Sequence, residues 1–222
     1  MNERLLELIL FYPVFLFSLS LHEAAHAWMA NRYGDPTARL LGRITLNPFP
    51  HMDLLGTFIL PVMGILTGIP LFGWGKPVPV DYRNLPNPRK DAVWIAIIGP
   101  ISNIFLALVF AIIARVLVAY LPSIPESELQ KGGLLSNGVT LVYTLSHIGV
   151  IFNLMLAFFN MLPIFPLDGS NVLRGLLPER LVFSFDQLGQ YGMFVLLLLY
   201  ATRALSFLTV PVYAVAGILL PH

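Results

Sequence analysis

The sequence predicts an all-α polytopic membrane protein that forms a single domain. Of its 222 residues, 57% are hydrophobic and 11% are charged, whereas soluble globular chains carry about 25% charged residues. Several apolar stretches also reach the roughly 20 residues that a helix needs to cross a bilayer. The hydrophobic content, the low charge and the length of these stretches together exclude a soluble domain of appreciable size.

Five apolar stretches are predicted to form transmembrane helices. The first, residues 5–33, is too long for a removable signal peptide and lacks a small-residue cleavage site. The other four follow later in the chain and cover residues 91–121, 134–162, 181–202 and 204–220. The last of these is the shortest stretch that we assign as a span.

Another apolar stretch, 54–72, lies between the first two predicted helices and is interrupted by three glycines and two prolines. Basic residues flank it on both sides, at Arg32, Arg39, Arg43, Lys76, Arg83, Arg89 and Lys90. The positive-inside tendency places both basic groups in the cytoplasm, so we predict that 54–72 is re-entrant. We therefore expect an integral plasma-membrane protein with its amino terminus outside and its chemical motifs toward the cytoplasm.

The first chemical motif, HEAAH, lies inside the first predicted helix. His22 and His26 are four residues apart, so both imidazoles lie on one helix face and can bind one metal ion. Glu23 then lies beside that ion, and His-Glu-x-x-His on a helix is the signature of zinc metalloproteases in which the glutamate is the general base. Chance is the alternative, but three ionisable groups on one turn in a membrane need a shared partner. The motif therefore predicts metal binding.

Two histidines do not complete a catalytic zinc site, which usually has three protein ligands and one water. The chain contains no cysteine, so the third ligand must be His, Asp or Glu. His51 lies in a proline-bounded loop, His222 is the last residue, and His147 is more typical of a hydrogen-bonded core residue. Asp168 follows two prolines that break a helix. Asp-Gly alone indicates a surface turn, but here it supplies the missing oxygen ligand.

Four motifs resemble those of the site-2 proteases, which are intramembrane zinc metalloproteases. They are HEAAH at 22–26, GWGKPVPV at 73–80, GPISN at 99–103 and NMLPIFPLDG at 160–169. Their order and spacing resemble the short bacterial or archaeal members without PDZ or CBS domains. The resemblance implies one transmembrane metalloprotease domain, 1–222, with a catalytic core at about 5–178 and additional C-terminal helices at 181–220.

The resemblance also implies a role for each motif. It assigns His22, His26 and Asp168 as the ligands of one Zn²⁺ per chain. It assigns Glu23 as the general base and gives Asn160 the task of orienting substrate or stabilising the oxyanion. GWGKPVPV is similar to the family's membrane-associated β-hairpin, which pairs with an unwound substrate. The substrate-binding residues are then Asn160, Asn103, Gly73, Gly75, Pro77 and Val78.

On this interpretation the protein hydrolyses a peptide bond within or near a transmembrane segment of a membrane protein, as in regulated intramembrane proteolysis. Its partners are that substrate and the lipid bilayer, and we expect no nucleic acid. Two alternatives use the same His/Asp cluster: a proteolytically silent membrane scaffold and a divalent-metal transporter. Transport predicts several ionisable side chains along a pathway, whereas the sequence has one tight cluster. The intact motif residues argue against the silent scaffold.

Overall fold

Helices make up most of the fold. The computed structural model describes residues 3–68, 73–123 and 133–221. In chain order the described α-helices are α1 (Glu3–Arg32), α2 (Thr37–Leu40), α3 (Leu60–Thr67), α4 (Pro88–Tyr120), α5 (Leu134–Asn160), α6 (Asp168–Leu176), α7 (Glu179–Gly189), α8 (Gly192–Ala201) and α9 (Thr209–Leu219). These described ranges are all-α, as the composition and the apolar runs predicted.

Within these ranges, three helices are long and apolar enough to cross a membrane: α1, α4 and α5. If the bent pair of α7 and α8 forms one span, the number of candidate spans is four. The prediction of five spans is therefore wrong for this part of the chain. The helix predicted over 181–202 bends by 62° between α7 and α8, where a Cβ on Gly192 would overlap the Phe165 carbonyl. The stretch 204–220 gives a 3₁₀ turn followed by α9, whose 11 residues are too few to span.

Small residues let the long helices approach closely. The buried face of α4 carries Ala107, Ala111 and Ala114, which pack against Val150 and Leu154 of α5. Small side chains at such positions favour close packing of helices in membranes, where the hydrophobic effect does not drive helix association. Helix α4 also contacts α1 and α6, so it is the central helix that brings the motif-bearing elements together.

The interrupted stretch 54–72 begins with a π-helix, Leu54–Ile59, and continues as α3. Asp53 caps this segment by accepting hydrogen bonds from the backbone N–H groups of Leu55 and Gly56. The N–H of Trp74 then donates to the Gly56 carbonyl at 3.1 Å. The chain at Trp74 therefore lies beside Gly56, near the start of the stretch, which is compatible with a re-entrant segment. Residues 69–72, which belong to this prediction, lie outside the described residues.

The segment 73–80 forms no helix and no β-hairpin, and the described residues contain no β-strand. The bonds of the alternate residues Trp74 and Lys76 to one side, and the residues before Pro77 and Pro79, are typical of an extended chain. The expected β-hairpin is therefore wrong. The physical reason is that the backbone of this segment is already bonded to irregular chain. Trp74 bonds to Gly56 and Thr57, and Lys76 bonds to Arg43 and His51. A second strand has no place on this side of the segment, and Pro77 and Pro79 have no N–H to donate to a ladder.

Candidate metal centre

Three side chains converge between α1 and the start of α6. The Nε2 atoms of His22 and His26 lie 3.0 Å apart. The Oδ2 atom of Asp168 lies 3.2 Å from the first and 3.3 Å from the second. Both histidines are buried, and Asp168 is half-buried. Among the described residues this is the one group of three or more potential ligands that could hold a metal ion.

Local sequence explains why these groups meet. The four-residue spacing places the two imidazoles one turn apart on α1. Asp168 is the first residue of α6, and the next residue, Gly169, packs tightly against the turn that ends α5. A Cβ on Gly169 would overlap the carbonyl oxygens of Met161 and Leu162. Glycine therefore allows the carboxylate to approach α1 closely, which the Asp-Gly pair alone did not reveal.

A buried amide network fixes the ring of His22. Its Nδ1 lies 2.6 Å from Oδ1 of Asn103. The Asn103 amide nitrogen donates to the Ser18 carbonyl and to Oδ1 of Asn153, at 3.3 and 2.9 Å. Because that nitrogen is the donor, Oδ1 of Asn103 must accept from a protonated Nδ1 of His22. Nε2 of His22 therefore keeps a free lone pair, which is the form that binds a metal.

The same reasoning applies to His26. Its Nδ1 lies 2.5 Å from the carbonyl oxygen of Ile95, which can only accept, so Nδ1 carries the proton and Nε2 of the neutral imidazole has a free lone pair. Oδ2 of Asp168 is buried and has no hydrogen-bond partner among the described residues. Three acceptor atoms thus face one another without a donor, an arrangement that a cation resolves. Two imidazole nitrogens and one carboxylate oxygen are a donor set that suits zinc.

Gly99 of the GPISN motif makes room for this cluster. A Cβ on Gly99 would overlap Nε2 of His26 and would lie 2.5 Å from Cε1 of His26 and 2.7 Å from Cε1 of His22. A Gly-Pro pair inside a transmembrane helix commonly marks a kink or a close helix contact. The structure shows instead that any side chain at this position of α4 would occupy the space where the imidazoles meet.

The other predicted site residues lie around the cluster. Glu23 is 9% exposed and follows His22 on α1. Asn160 ends α5, and its amide nitrogen donates to its own helix at the Leu156 carbonyl, 3.0 Å away. Asn103, expected to bind substrate, is fully buried beneath His22. His147 contacts Tyr143 instead of the cluster.

The extended segment 73–80 lies beside α1. A Cβ on Gly75 would sit 3.0 Å from the Leu19 side chain, one turn before His22, and one on Gly73 would sit 2.7 Å from the Gly56 carbonyl. Lys76 and Pro77 are exposed, and Val78 is half-buried. The glycines therefore allow the segment to pack close to the helix that carries HEAAH.

Sequence reasoning missed three residues near the site. Asn153 is fully buried in α5 and donates to Oγ of Ser18. A signal existed, because an amide inside an apolar helix usually bonds across helices. Arg43 and His51 are buried between α2 and α3. Burial lowers the pKa of Arg43, and the charge of Glu23 opposes that shift. Burial also lowers the pKa of His51.

Comparisons with known proteins give a family and several relatives. The model of peptidase family M50 matches residues 10–200. "Putative zinc metalloprotease YwhC" of Bacillus subtilis is 34% identical and the match covers 91% of this chain and 89% of that protein. "Zinc metalloprotease MJ0392" of Methanocaldococcus jannaschii is 26% identical over 81% of this chain and 38% of its own length. "Putative zinc metalloprotease Rip2" of Mycolicibacterium smegmatis is 28% identical, and the match covers 89% of this chain and 69% of that protein. No solved structure matches the chain significantly.

Proposed function

Because this chain belongs to peptidase family M50 and is a membrane metalloprotease, we propose that it hydrolyses a peptide bond within or near a transmembrane segment of a membrane protein. The observation that carries the proposal is the meeting of Asp168 with His22 and His26, two residues of α1, which is long and apolar enough to cross a bilayer. A site built on such a helix acts on a peptide bond at membrane depth. Its substrates are therefore membrane proteins, as in regulated intramembrane proteolysis.

His22, His26 and Asp168 are the proposed ligands of one zinc ion per chain. Zinc bound there would supply Lewis acidity, which makes water nucleophilic near neutral pH and withdraws charge from a carbonyl oxygen. Glu23 is the proposed general base. Its carboxylate takes a proton from the attacking water and passes it to the leaving amine. Asn103 holds Nδ1–H of His22, so this amide orients a ligand and does not touch the substrate.

Asn160 is the proposed partner of the developing negative charge on the scissile carbonyl oxygen. An amide nitrogen carries two hydrogens, and the Leu156 carbonyl accepts one of them. The second N–H is the group that we assign to the substrate oxygen. Donors of this kind, held in place before the reaction, stabilise charge that develops in the transition state.

The extended segment 73–80 is the proposed binding edge for an unwound substrate. The backbone N–H and C=O groups of Trp74 and of Lys76 point toward residues 43–57. Alternate residues of an extended chain point to opposite sides, so Gly75, Pro77 and Pro79 turn their carbonyls away from that region. A transmembrane helix that unwinds exposes N–H groups that lipid cannot satisfy. An edge rich in acceptors would bind those N–H groups by β-augmentation.

The proposed topology follows the charge distribution. The amino terminus of α1 lies outside and the metal-binding residues lie toward the cytoplasmic face of the plasma membrane. The whole chain, 1–222, is one domain with its catalytic core at about 5–178. A metal transporter is less favoured, because the described residues hold a single cluster of potential ligands and transport needs a series of them.

Two substitutions test the proposal in protein purified in detergent and reconstituted in lipid vesicles. Zinc per chain is measured by elemental analysis, and cleavage of synthetic single-span peptides in the same vesicles is measured by mass spectrometry. Wild type should hold about one zinc per chain and cut. Glu23→Gln keeps the size of the side chain and should hold zinc without cutting, whereas Asp168→Asn should lose zinc as well. Cleavage by zinc-loaded Glu23→Gln would refute the assigned base.

A further inference from the structure

Arg43 and His51 are buried polar residues that the proposed mechanism does not use. They lie in the connection between α2 and α3, outside the spanning helices, yet Arg43 is 5% exposed and His51 is fully buried. Burying a charged guanidinium costs several kcal/mol unless hydrogen bonds and an opposite charge compensate. The surroundings of Arg43 therefore indicate what this side chain does.

The hydrogen bonds of this pair converge on Lys76 of the extended segment. The Lys76 N–H donates to the His51 carbonyl at 2.9 Å, and Nη2 of Arg43 donates to the Lys76 carbonyl. His51 is fixed in turn by Nε2, which lies 2.9 Å from the Thr45 carbonyl. Arg43 and His51 thus occupy the place that a second β-strand would take, and they fix the segment proposed to bind substrate.

The opposite charge comes from the proposed general base. Glu23 is the acidic residue whose charge acts on Arg43, and it acts on His51 too. Glu23 makes no ion pair within 4 Å among the described residues. Buried charges are rarely left without a compensating charge. The guanidinium of Arg43 is therefore a positive charge that acts on Glu23 from the side of the extended segment.

One feature of Arg43 separates this arrangement from an ordinary structural arginine. Its Nε is buried and has no hydrogen-bond partner among the described residues, and the same holds for Nδ1 of His51. Buried polar groups in proteins are nearly always bonded, and exceptions occur at functional sites.

We propose that Arg43 is a positioning residue for proteolysis, because its guanidinium holds the substrate-binding segment at the Lys76 carbonyl and provides a positive charge that acts on Glu23. This inference rests on the proposed function, since it assumes that Glu23 is the base and that segment 73–80 binds substrate. Arg43 itself touches neither the substrate nor the metal. Its loss should therefore lower turnover while the zinc content stays constant.

Two variants at position 43 separate charge from side-chain length. Arg43→Lys keeps a positive charge and one donor for the Lys76 carbonyl. Arg43→Met keeps a long side chain but has neither the charge nor the donor. We expect kcat of Arg43→Met to fall about 100-fold, the scale of a general-base contribution, with zinc content unchanged. Arg43→Lys should recover at least a tenth of wild-type kcat. Arg39→Gln, an exposed arginine on α2, is the matched control and should behave as wild type.

A double-mutant cycle gives a readout that does not need activity. Melting temperatures are measured for wild type, Glu23→Gln, Arg43→Met and the double variant in the same detergent. We expect Arg43→Met to lower the melting temperature by a few degrees and Glu23→Gln to remove most of that loss, because interacting charges couple. The inference would be overturned if the shifts in melting temperature of the two single variants were additive. It would also be overturned if Arg43→Met kept the kcat of wild type. Coupling without any cleavage by wild type would instead overturn the proposed function alone.

Discussion

The Nδ1 atom of His22 lies 2.6 Å from Oδ1 of Asn103, although the two residues are 81 positions apart in the chain. This contact joins α1 to α4 and fixes both the orientation and the protonation of the imidazole. Asn103 is itself held by Asn153 of α5. Three helices thus determine the geometry of one ligand, so metal affinity depends on residues that never touch the metal.

Replacing Asn103 should weaken metal binding without removing a ligand. In Asn103→Ala the His22 ring loses the acceptor that orients it, and zinc affinity should fall about 10–100-fold, as for other residues that orient metal ligands. Competition with a zinc chelator measures the change in affinity. Ser102→Ala is the matched control, because the hydroxyl of Ser102 bonds to the Gly99 carbonyl of its own helix. Equal zinc affinity in the two variants would contradict the assigned role.

Gly99→Ala should abolish zinc binding, because its Cβ would overlap Nε2 of His26. Gly138→Ala is the control, since a Cβ at that position of α5 meets nothing within 4 Å and alanine favours a helix by about 1 kcal/mol over glycine. Zinc per chain and melting temperature are measured for both variants. A zinc-loaded Gly99→Ala protein would show that the imidazoles lie elsewhere when the metal is bound.

Asp35 should make stability depend on pH. Burial alone would raise the pKa of this fully buried carboxyl, but hydrogen bonds from Thr37, Asn84 and the Asp81 backbone hold its pKa below the ordinary value. A lowered pKa in the folded state means that the ionised group stabilises the fold above about pH 4. That contribution is lost as the pH falls through the folded pKa.

Melting curves test this prediction between pH 6 and pH 3. At pH 6, Asp35→Asn should be less stable than wild type by about 1–3 kcal/mol, because one amide oxygen replaces two carboxylate oxygens that accept several bonds. The difference in stability between Asp35→Asn and wild type should become smaller as the pH falls below about 4. Asp186→Asn removes a half-exposed pair with Arg174 and should change stability by less than about 1 kcal/mol. A stability difference between Asp35→Asn and wild type that does not depend on pH would show that ionisation of Asp35 is not its cause.

Single cysteines can establish the topology, because the natural chain contains none. Leu40 and Arg83 are exposed on the two sides of the interrupted stretch, and Tyr120 is exposed at the far end of α4. A membrane-impermeant maleimide should label Leu40→Cys and Arg83→Cys from the same face of sealed vesicles. Tyr120→Cys should react from the other face. Labelling of positions 40 and 83 from opposite faces would make 54–72 a true span.

The sequence was sufficient for features that depend on local spacing. The spacing of His22 and His26 predicted two imidazoles on one helix face, and the need for an oxygen ligand singled out Asp168. The partners from distant segments were not predictable in this way. Asn153 and Arg43 lie near the site only because α5 and the connection after α2 fold against α1, and no local pattern records those contacts.

The two incorrect predictions have the same origin. KPVPV indicates an extended backbone, but it does not show that the partner of Lys76 is a buried arginine instead of a second strand. The apolar run 181–202 indicates sufficient length for a span, but it does not show that the chain bends where Gly192 packs against Phe165. Run length and alternation describe one segment at a time, whereas bends and pairings depend on what packs against it.

The proline spacing in segment 73–80 has a further consequence for molecules that share one membrane. Two copies of an exposed strand edge can associate when each offers both donors and acceptors, and natural edges are protected against this pairing. Here the outward edge offers the carbonyls of Gly75, Pro77 and Pro79, and the two prolines have no N–H. Two such edges facing each other would bring oxygen against oxygen at the prolines, with only the Gly75 N–H left as a donor. On the proposed function, the segment would therefore resist self-association and would still accept a chain that brings its own N–H groups.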